Sequence, residues 1–366
     1  MGGRIVLFGA TGYTGDLTAR AMVDRGLRPV LAGRDAERLA ALAGDLGGLD
    51  AVVADAGNPD SVRALVQRGD VLVTTVGPFA QLGEPAVQAA LAAGVDYLDA
   101  AGEPKFIRDV FERHGPLAAA AGCALVPAFG YDWVPGNLAA ALALGEAGEA
   151  AASVEIGYFA PGRGMTALSP GTRATLVGIA VEPAFAWRAG RLATVPSSSR
   201  WRTFALPSGP AEAISVGSTE HFTLPRMRPG LREVNVYIGW LGWASRASQA
   251  MVLATSLVTA VPGVKAGLLG FADLVAQGAA SGPDAEARAR TRSLIVAEVR
   301  DPAGTVLSEV RLEGINPYEF SAALLAWGAE AAASGGLRGT GALGPVEAWG
   351  LDVLEAAVAG AGIRRV

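Results

Sequence analysis

Cysteine, histidine and lysine are nearly absent from this sequence, and positive charge is not in excess. Cys123 is the only cysteine, so no disulfide can form within the chain. His114 and His221 are the only histidines, which leaves too few ligands for a zinc site of the Cys/His type. Lysine occurs only at Lys105 and Lys265. The formal net charge is −5 and the pI about 5.3, so a nucleic-acid partner is not expected. Charge is missing altogether between Arg246 and Lys265, where 18 residues read ASQAMVLATSLVTAVPGV. That length only reaches the threshold for a membrane span, and Ser248, Gln249, Thr255, Ser256, Thr259 and Pro262 dilute it. The stretch is expected to be a helix, buried or forming an oligomer contact. A monotopic membrane contact or an apolar wall for a lipid-like substrate are the alternatives. Met1-Gly2-Gly3-Arg4 runs straight into a strand, so no leader is expected and the expected location is cytoplasmic.

Apolar residues and glycine are what the chain has in quantity. Of its 366 residues 51% are hydrophobic, enough for a sizeable core and for two domains. In the first third, strand candidates alternate with helical stretches. The strands are Arg4–Phe8, Pro29–Leu31, Asp50–Ala54, Val71–Val76, Asp96–Asp99 and Ala124–Pro127. The helices are Gly15–Arg25, Ala36–Leu46, Pro59–Arg68, Glu84–Ala93 and Lys105–Ala121. Nearly all-apolar strands alternating with helices imply a parallel sheet covered on both faces, a doubly wound (Rossmann) α/β domain. After about Gly136 the pattern changes to alternating strands, at Ser153–Phe159, Glu212–Ser218, Glu233–Ile238, Ser293–Arg300 and Val306–Glu313. Asp301-Pro302-Ala303-Gly304 makes a turn between the last two. A second α+β domain with a mixed or antiparallel sheet is expected, with helices at Pro170–Ala189, Ser245–Gln277 and Pro317–Ala333. The boundaries implied are 1–135 for the cofactor domain and 136–339 for a substrate and oligomerisation domain. A C-terminal helix in 340–366, near Pro345–Ala359, packs back on the first.

Gly9, Gly12 and Gly15 lie between the first strand and the first helix, in Gly9-Ala10-Thr11-Gly12-Tyr13-Thr14-Gly15. That is the context a dinucleotide fingerprint needs. Gly9 permits the tight turn, Gly12 the approach of a pyrophosphate, and Gly15 close packing of helix on strand. The second strand selects the cofactor. It ends in Gly33-Arg34 rather than in an acidic residue, so Gly33 leaves room and Arg34 can fork onto a 2′-phosphate: NADP rather than NAD. Asp55 after the third strand is placed for the adenine edge, and Gly77-Pro78-Phe79 after the fourth for the nicotinamide half. Thr11, Tyr13 and Thr14 complete the cofactor set.

A glycine loop followed by arginine also suits short-chain dehydrogenases, which need a Tyr-x-x-x-Lys pair. None of Tyr13, Tyr97, Tyr131, Tyr158, Tyr237 and Tyr318 has a lysine four residues on. Val71–Glu103, with Gly77-Pro78-Phe79 and Asp99-Ala100-Ala101-Gly102-Glu103, instead resembles the saccharopine dehydrogenase-like oxidoreductases, which include the trans-acting enoyl reductases. Pro127–Ala140 (PAFGYDWVPGNLAA) resembles that family's crossing into its second domain, and Gly341–Gly350 its C-terminal Gly-Pro-x-x-Ala-aromatic-Gly segment. The resemblance implies an NADPH-dependent reductase acting on C=C of a small or lipid- or polyketide-like substrate, or on C=N as in saccharopine reduction. A non-catalytic dinucleotide-binding or membrane-associated scaffold is the rival class. A homo-oligomer is expected.

Ligands of doubly wound domains lie off the carboxyl ends of the strands, and Gly130-Tyr131-Asp132-Trp133 follows the last of them. Tyr131 is the first candidate for the proton donor that hydride transfer requires. Asp132 is its orienter or an alternative donor, unless it only caps the helix beginning near Pro135. His221 is a further acid candidate. Lys105 reads as catalytic or, beside Glu103, as half of a surface ion pair, and His114 reads as structural. Ser169–Arg173 starts a helix whose N-terminus suits a substrate carbonyl or carboxylate, or is a plain cap. Trp187, Trp240 and Trp243 line a pocket or pack in the core.

Overall fold

The computed structural model describes residues 3–161, 183–240 and 282–366. Its contacts divide the chain into two units. The first comprises 1–102, 106–134 and 317–362; the second comprises 103–105, 135–316 and 363–366. The helix Pro317–Ala333 thus groups with the first unit, not with the 136–339 segment to which the sequence pattern assigns it.

The first unit is built on β1 (Ile5–Phe8), β2 (Val30–Gly33), β3 (Ala51–Val53), β4 (Val71–Thr74), β5 (Asp96–Asp99) and β6 (Ala124–Val126). β1, β2, β4 and β6 are buried at every residue, as expected of strands covered on both faces. All six run parallel, and a short strand at Gly341–Ala342 joins beside β6 in the same sense. The order, starting from that added strand, is β6-β5-β4-β1-β2-β3. The chain winds outward from β1 to β3, then returns to the other side of β1 with β4. This is the doubly wound sheet the alternation predicts, with its topological switch between β1 and β4. Two helical expectations are corrected. Pro59–Arg68 is helical only over Pro59–Arg63, and the expected helix Pro345–Ala359 is two helices, Pro345–Trp349 and Leu351–Gly360, parted at Gly350 with φ +85°.

The second unit contains β7 (Ser153–Phe159), β8 (Ala184–Arg188), β9 (Arg191–Val195), β10 (Trp201–Leu206), β11 (Gly209–Ser215), β12 (Glu233–Ile238), β13 (Ser293–Arg300) and β14 (Val306–Gly314). β15 is the Gly341–Ala342 strand of the first sheet, and β16 (Ile363–Arg365) closes this one. The order is β10-β11-β12-β7-β13-β14-β16, with β8 on β12 and β9 on β8. Among the described strands of this sheet only β12 and β7 pair in parallel, so the sheet is mixed, in keeping with the alternating strands. Phe159, Phe204, Tyr237, Leu294 and Val296 form its core. β8 corrects the end of the helix expected at Pro170–Ala189. Arg188 pairs with Arg191 across Ala189-Gly190, whose φ values are +52° and +74°. A two-residue loop with positive φ at both positions is a type I′ hairpin, and the alternation of Phe185 and Trp187 belongs to a strand. The rest of that helix and the charge-free stretch around Met251–Val261 lie outside the described residues.

Candidate functional site

The glycine loop is formed by close contacts that leave no space for side chains. Gly9 has φ +92°, and its N–H donates to the Ala32 carbonyl at the end of β2 over 2.8 Å. A Cβ there would stand 2.8 Å from Thr75 Oγ1 and 2.9 Å from Val76 Cγ2. Thr75, just past β4, donates its hydroxyl to the Gly9 carbonyl over 3.2 Å. The two strands flanking the switch point are therefore tied together by the loop. Gly12 is the N-cap of the helix Tyr13–Asp24, and no side chain caps that end. A Cβ on Gly15 would stand 2.0 Å from the Gly9 carbonyl oxygen, so the first helical turn lies directly on the loop. A helix N-terminus left without a side-chain cap beside a glycine turn is the arrangement that receives phosphate. Thr11 and Thr14 are half-buried here, and Tyr13 packs edge-on against Tyr318 with ring centroids 5.0 Å apart.

Gly33 ends β2 beside this loop. A Cβ on it would make only ordinary contacts, the nearest being Thr11 Oγ1 at 3.5 Å, so the protein's own packing does not require glycine there. Arg34 is exposed, and no described residue holds its guanidinium. Arg38, unnoticed in the sequence, donates from Nη2 to the Thr11 carbonyl over 2.6 Å and so braces the loop from the following helix. The capping of that helix by Asp35, which accepts from the Arg38 N–H, is the signal that fixes where Arg38 sits. Asp55 is exposed and folds its carboxylate onto the Gly57 N–H at 2.8 Å.

The ends of β4, β5 and β6 lie along the same edge of the parallel sheet. Gly77 and Pro78 are partly accessible there, and Phe79 turns inward against Phe106, centroids 5.4 Å apart. Asp99 is buried, and its Oδ1 accepts from the Ala101 N–H at 2.8 Å and the Ala128 N–H at 2.7 Å. It holds Ala128 at φ +56°, a left-handed conformation unfavourable for a residue with a Cβ. The motif acid is thus a clamp between two strand ends. Tyr131 follows, 2% exposed, with its N–H donating to Ser321 Oγ at 2.9 Å and its ring edge-on to Phe320 at 6.4 Å. A Cβ on Gly130 would stand 3.0 Å from Ser321 Oγ. Asp132 is half-buried. Ser321 and Tyr318 both sit on the helix Pro317–Ala333. That helix therefore touches Tyr13 at the glycine loop and supports Tyr131, a role hidden in sequence, where 190 positions separate Tyr131 from Ser321.

His221 belongs to the second unit, whereas Tyr131 and Asp132 belong to the first. It is 1% exposed, its Nδ1 lies 3.1 Å from Ser218 Oγ, and burial pushes its pKa down to about 4. A neutral imidazole is a poor proton donor near neutrality. Its neighbour Glu220, also overlooked in the sequence, is fully buried and pushed up to about 7 by desolvation. Tyr158 donates its hydroxyl to Glu220 Oε1 at 2.6 Å while accepting from the Gly136 N–H at 2.9 Å. Glu103 is buried and Lys105 exposed. His114 is buried with Nε2 2.9 Å from Glu84, a structural contact. Trp187 donates from Nε1 to the Leu231 carbonyl over 2.9 Å, and Trp240 is half-buried. Ser169–Arg173 and Trp243 lie outside the described residues. Among the described residues, no cluster of metal-binding side chains exists, and no helix is long and apolar enough to cross a membrane.

Residues 5–126 match the family model described as saccharopine dehydrogenase NADP binding domain. The trans-acting enoyl reductase of Mycobacterium leprae is 41% identical over 140 residues, which are 37% of this chain and 34% of that protein. The trans-acting enoyl reductase of Mycobacterium ulcerans matches to the same identity and extent. The chain thus spans about a third of the length of the curated relatives it matches. Among solved structures, apo saccharopine dehydrogenase (L-Glu forming) from Saccharomyces cerevisiae is 13% identical, with a TM-score of 0.60 over 100% of this chain and 99% of that one. That likeness shows a shared fold. The resemblance read from the motifs is borne out, and the cofactor is NADP.

Proposed function

We propose that this chain, whose cofactor domain is the NADP-binding domain of the saccharopine dehydrogenase type, is an NADPH-dependent reductase of C=C bonds in small or lipid- or polyketide-like enoyl substrates. The carrying observation is the junction of loop and second strand. A glycine-walled turn faces a helix end without a side-chain cap, and beside it Gly33 opens space while no described residue holds the Arg34 guanidinium. These residues fit a dinucleotide with a 2′-phosphate. Gly9, Gly12 and Gly15 would take the pyrophosphate, with Thr11, Tyr13 and Thr14 around it. Arg34 would take the 2′-phosphate, Asp55 the adenine edge, and Gly77, Pro78 and Phe79 the nicotinamide half. The trans-acting enoyl reductases matched over the same domain favour C=C over C=N.

When bound, NADPH supplies the hydride. As the β carbon of an α,β-unsaturated thioester or ketone is reduced, negative charge develops at the α carbon and the carbonyl oxygen. Tyr131 protonates the α carbon, and Asp132 orients the hydroxyl. The Asp99 clamp and the Ser321 bond hold the segment that carries them. His221, neutral and outside that unit, is not assigned a proton-transfer role.

The test is single-turnover NADPH oxidation with enoyl thioesters and, in parallel, cyclic imines. The enoyl substrates should react. Tyr131→Phe keeps the ring and its packing against Phe320, so NADPH affinity should hold while turnover falls roughly 10²- to 10⁴-fold. Unchanged turnover in Tyr131→Phe removes that residue from the mechanism, reaction of imines alone moves the substrate class to C=N, and oxidation with neither favours the scaffold.

A further inference from the structure

The glycine loop and the open space at Gly33 meet at Thr11. Its Oγ1 would stand 3.5 Å from a Cβ on Gly33, and its carbonyl accepts from Arg38 Nη2 over 2.6 Å. An exposed guanidinium is thereby held beside both the loop and the space that Gly33 leaves. The bond to Thr11 uses one of the five N–H groups that a guanidinium carries. No described residue accepts from Nε or Nη1 of Arg38. The local sequence fixes this position. Asp35 caps the helix Ala36–Asp45 by accepting from the Arg38 N–H at 3.0 Å, with Arg34 just before the cap. That cap occupies the helix end, which leaves side chains rather than backbone N–H groups to meet an anion there. Glu37 precedes Arg38 on the helix, and adjacent helical side chains point apart.

A phosphate monoester carries about −1.5 to −2 charges near neutrality, and Arg34 alone answers one of them. We propose that Arg38 is a second specificity-determining residue of the 2′-phosphate site. It pairs with that phosphate through the N–H groups that Thr11 leaves, while the bond to Thr11 ties it to the pyrophosphate loop. This role rests on the 2′-phosphate lying at Gly33 and Arg34, as in the proposed function. A residue that only braces the loop serves every adenine nucleotide alike. A residue that pairs with the 2′-phosphate serves only those that carry it, so the two roles differ in what they discriminate.

Adenosine with phosphates at both the 2′ and 5′ positions (2′,5′-ADP) and its counterpart without the 2′-phosphate (5′-AMP) separate them by binding alone, with no turnover required. Calorimetric titration of the full chain should give tighter binding of 2′,5′-ADP than of 5′-AMP. Arg38→Ala should weaken 2′,5′-ADP roughly tenfold, the scale of one charge-assisted bond, and 5′-AMP by less than about twofold. Arg38→Lys, which keeps the charge and loses the fork, should fall between, and it carries the test if the alanine variant does not fold. Arg34→Ala, run in parallel, should also lose 2′,5′-ADP selectively. No preference for 2′,5′-ADP in the wild type would remove the 2′-phosphate from this end of β2 and overturn the role of Arg38 with it. A wild-type preference that Arg38→Ala keeps, through equal loss of both ligands or no loss of either, would leave the 2′-phosphate at Arg34 and reduce Arg38 to a brace.

Discussion

Single residues carry the two sharpest consequences. No described residue partners Arg34, so among the described residues its replacement by alanine removes no contact. Arg34→Ala should weaken NADPH by about one to two decades, the worth of a bidentate, charge-assisted contact, and leave NADH nearly unchanged. Fluorescence titration with both cofactors checks this; equal loss for the two would remove Arg34 from the 2′-phosphate site. The adjacent pair Glu220 and His221 sets a pH dependence of stability. Glu220 is raised by burial from an ordinary 4.5 to about 7, so the folded chain holds a proton that the unfolded chain releases, and stability is lost as pH rises through 7. His221 is lowered by burial from 6.5 to about 4, so the unfolded chain binds the extra proton, and stability is lost as pH falls from 6.5 through 4. The two slopes oppose each other between about 4.5 and 6.5. Glu220→Gln cannot ionise, so urea denaturation at successive pH values should show its stability falling less than that of the wild type as pH rises from about 4.5 to about 7. Parallel curves would show that Glu220 does not titrate there.

At the scale of elements, the loop and its helix act as one piece. Gly15→Ala places a methyl 2.0 Å from the Gly9 carbonyl oxygen, a backbone atom that cannot rotate away. The helix Tyr13–Asp24 must shift outward, at a cost of about 1–3 kcal/mol by the measure of overpacked cores, and the phosphate site moves with it. Denaturation and NADPH titration should both register the loss; wild-type values in both would contradict the packing. This element was legible in the sequence because glycine spacing, strand and helix all follow local rules. β5, β7, β12 and β13 fall on the residues their patterns indicate, for the same reason. What stayed hidden depends on distant partners. Ala189-Gly190 turns a stretch that reads as alanine-rich helix into the β8–β9 hairpin. Ser321 and Tyr318 support Tyr131 and Tyr13 from a helix that periodicity locates but cannot assign to a neighbour. Glu220 gains its chemistry from burial, which leaves no trace in spacing.

For the whole molecule, a dinucleotide domain carries a second, mixed-sheet unit, and the account assigns it the reduction of an activated double bond. The relatives that bear the enoyl reductase name share this chain's cofactor domain and extend well beyond the matched region, so the chemistry must be measured on this chain itself. The decisive measurement is transfer of label from NADPH carrying deuterium at the reactive C4 position to an enoyl thioester in a single turnover, read by mass spectrometry of the product. The account predicts a saturated product with one deuterium at the β carbon and a solvent proton at the α carbon. Deuterium retained in the cofactor, with the enoyl substrate recovered unchanged, would contradict it.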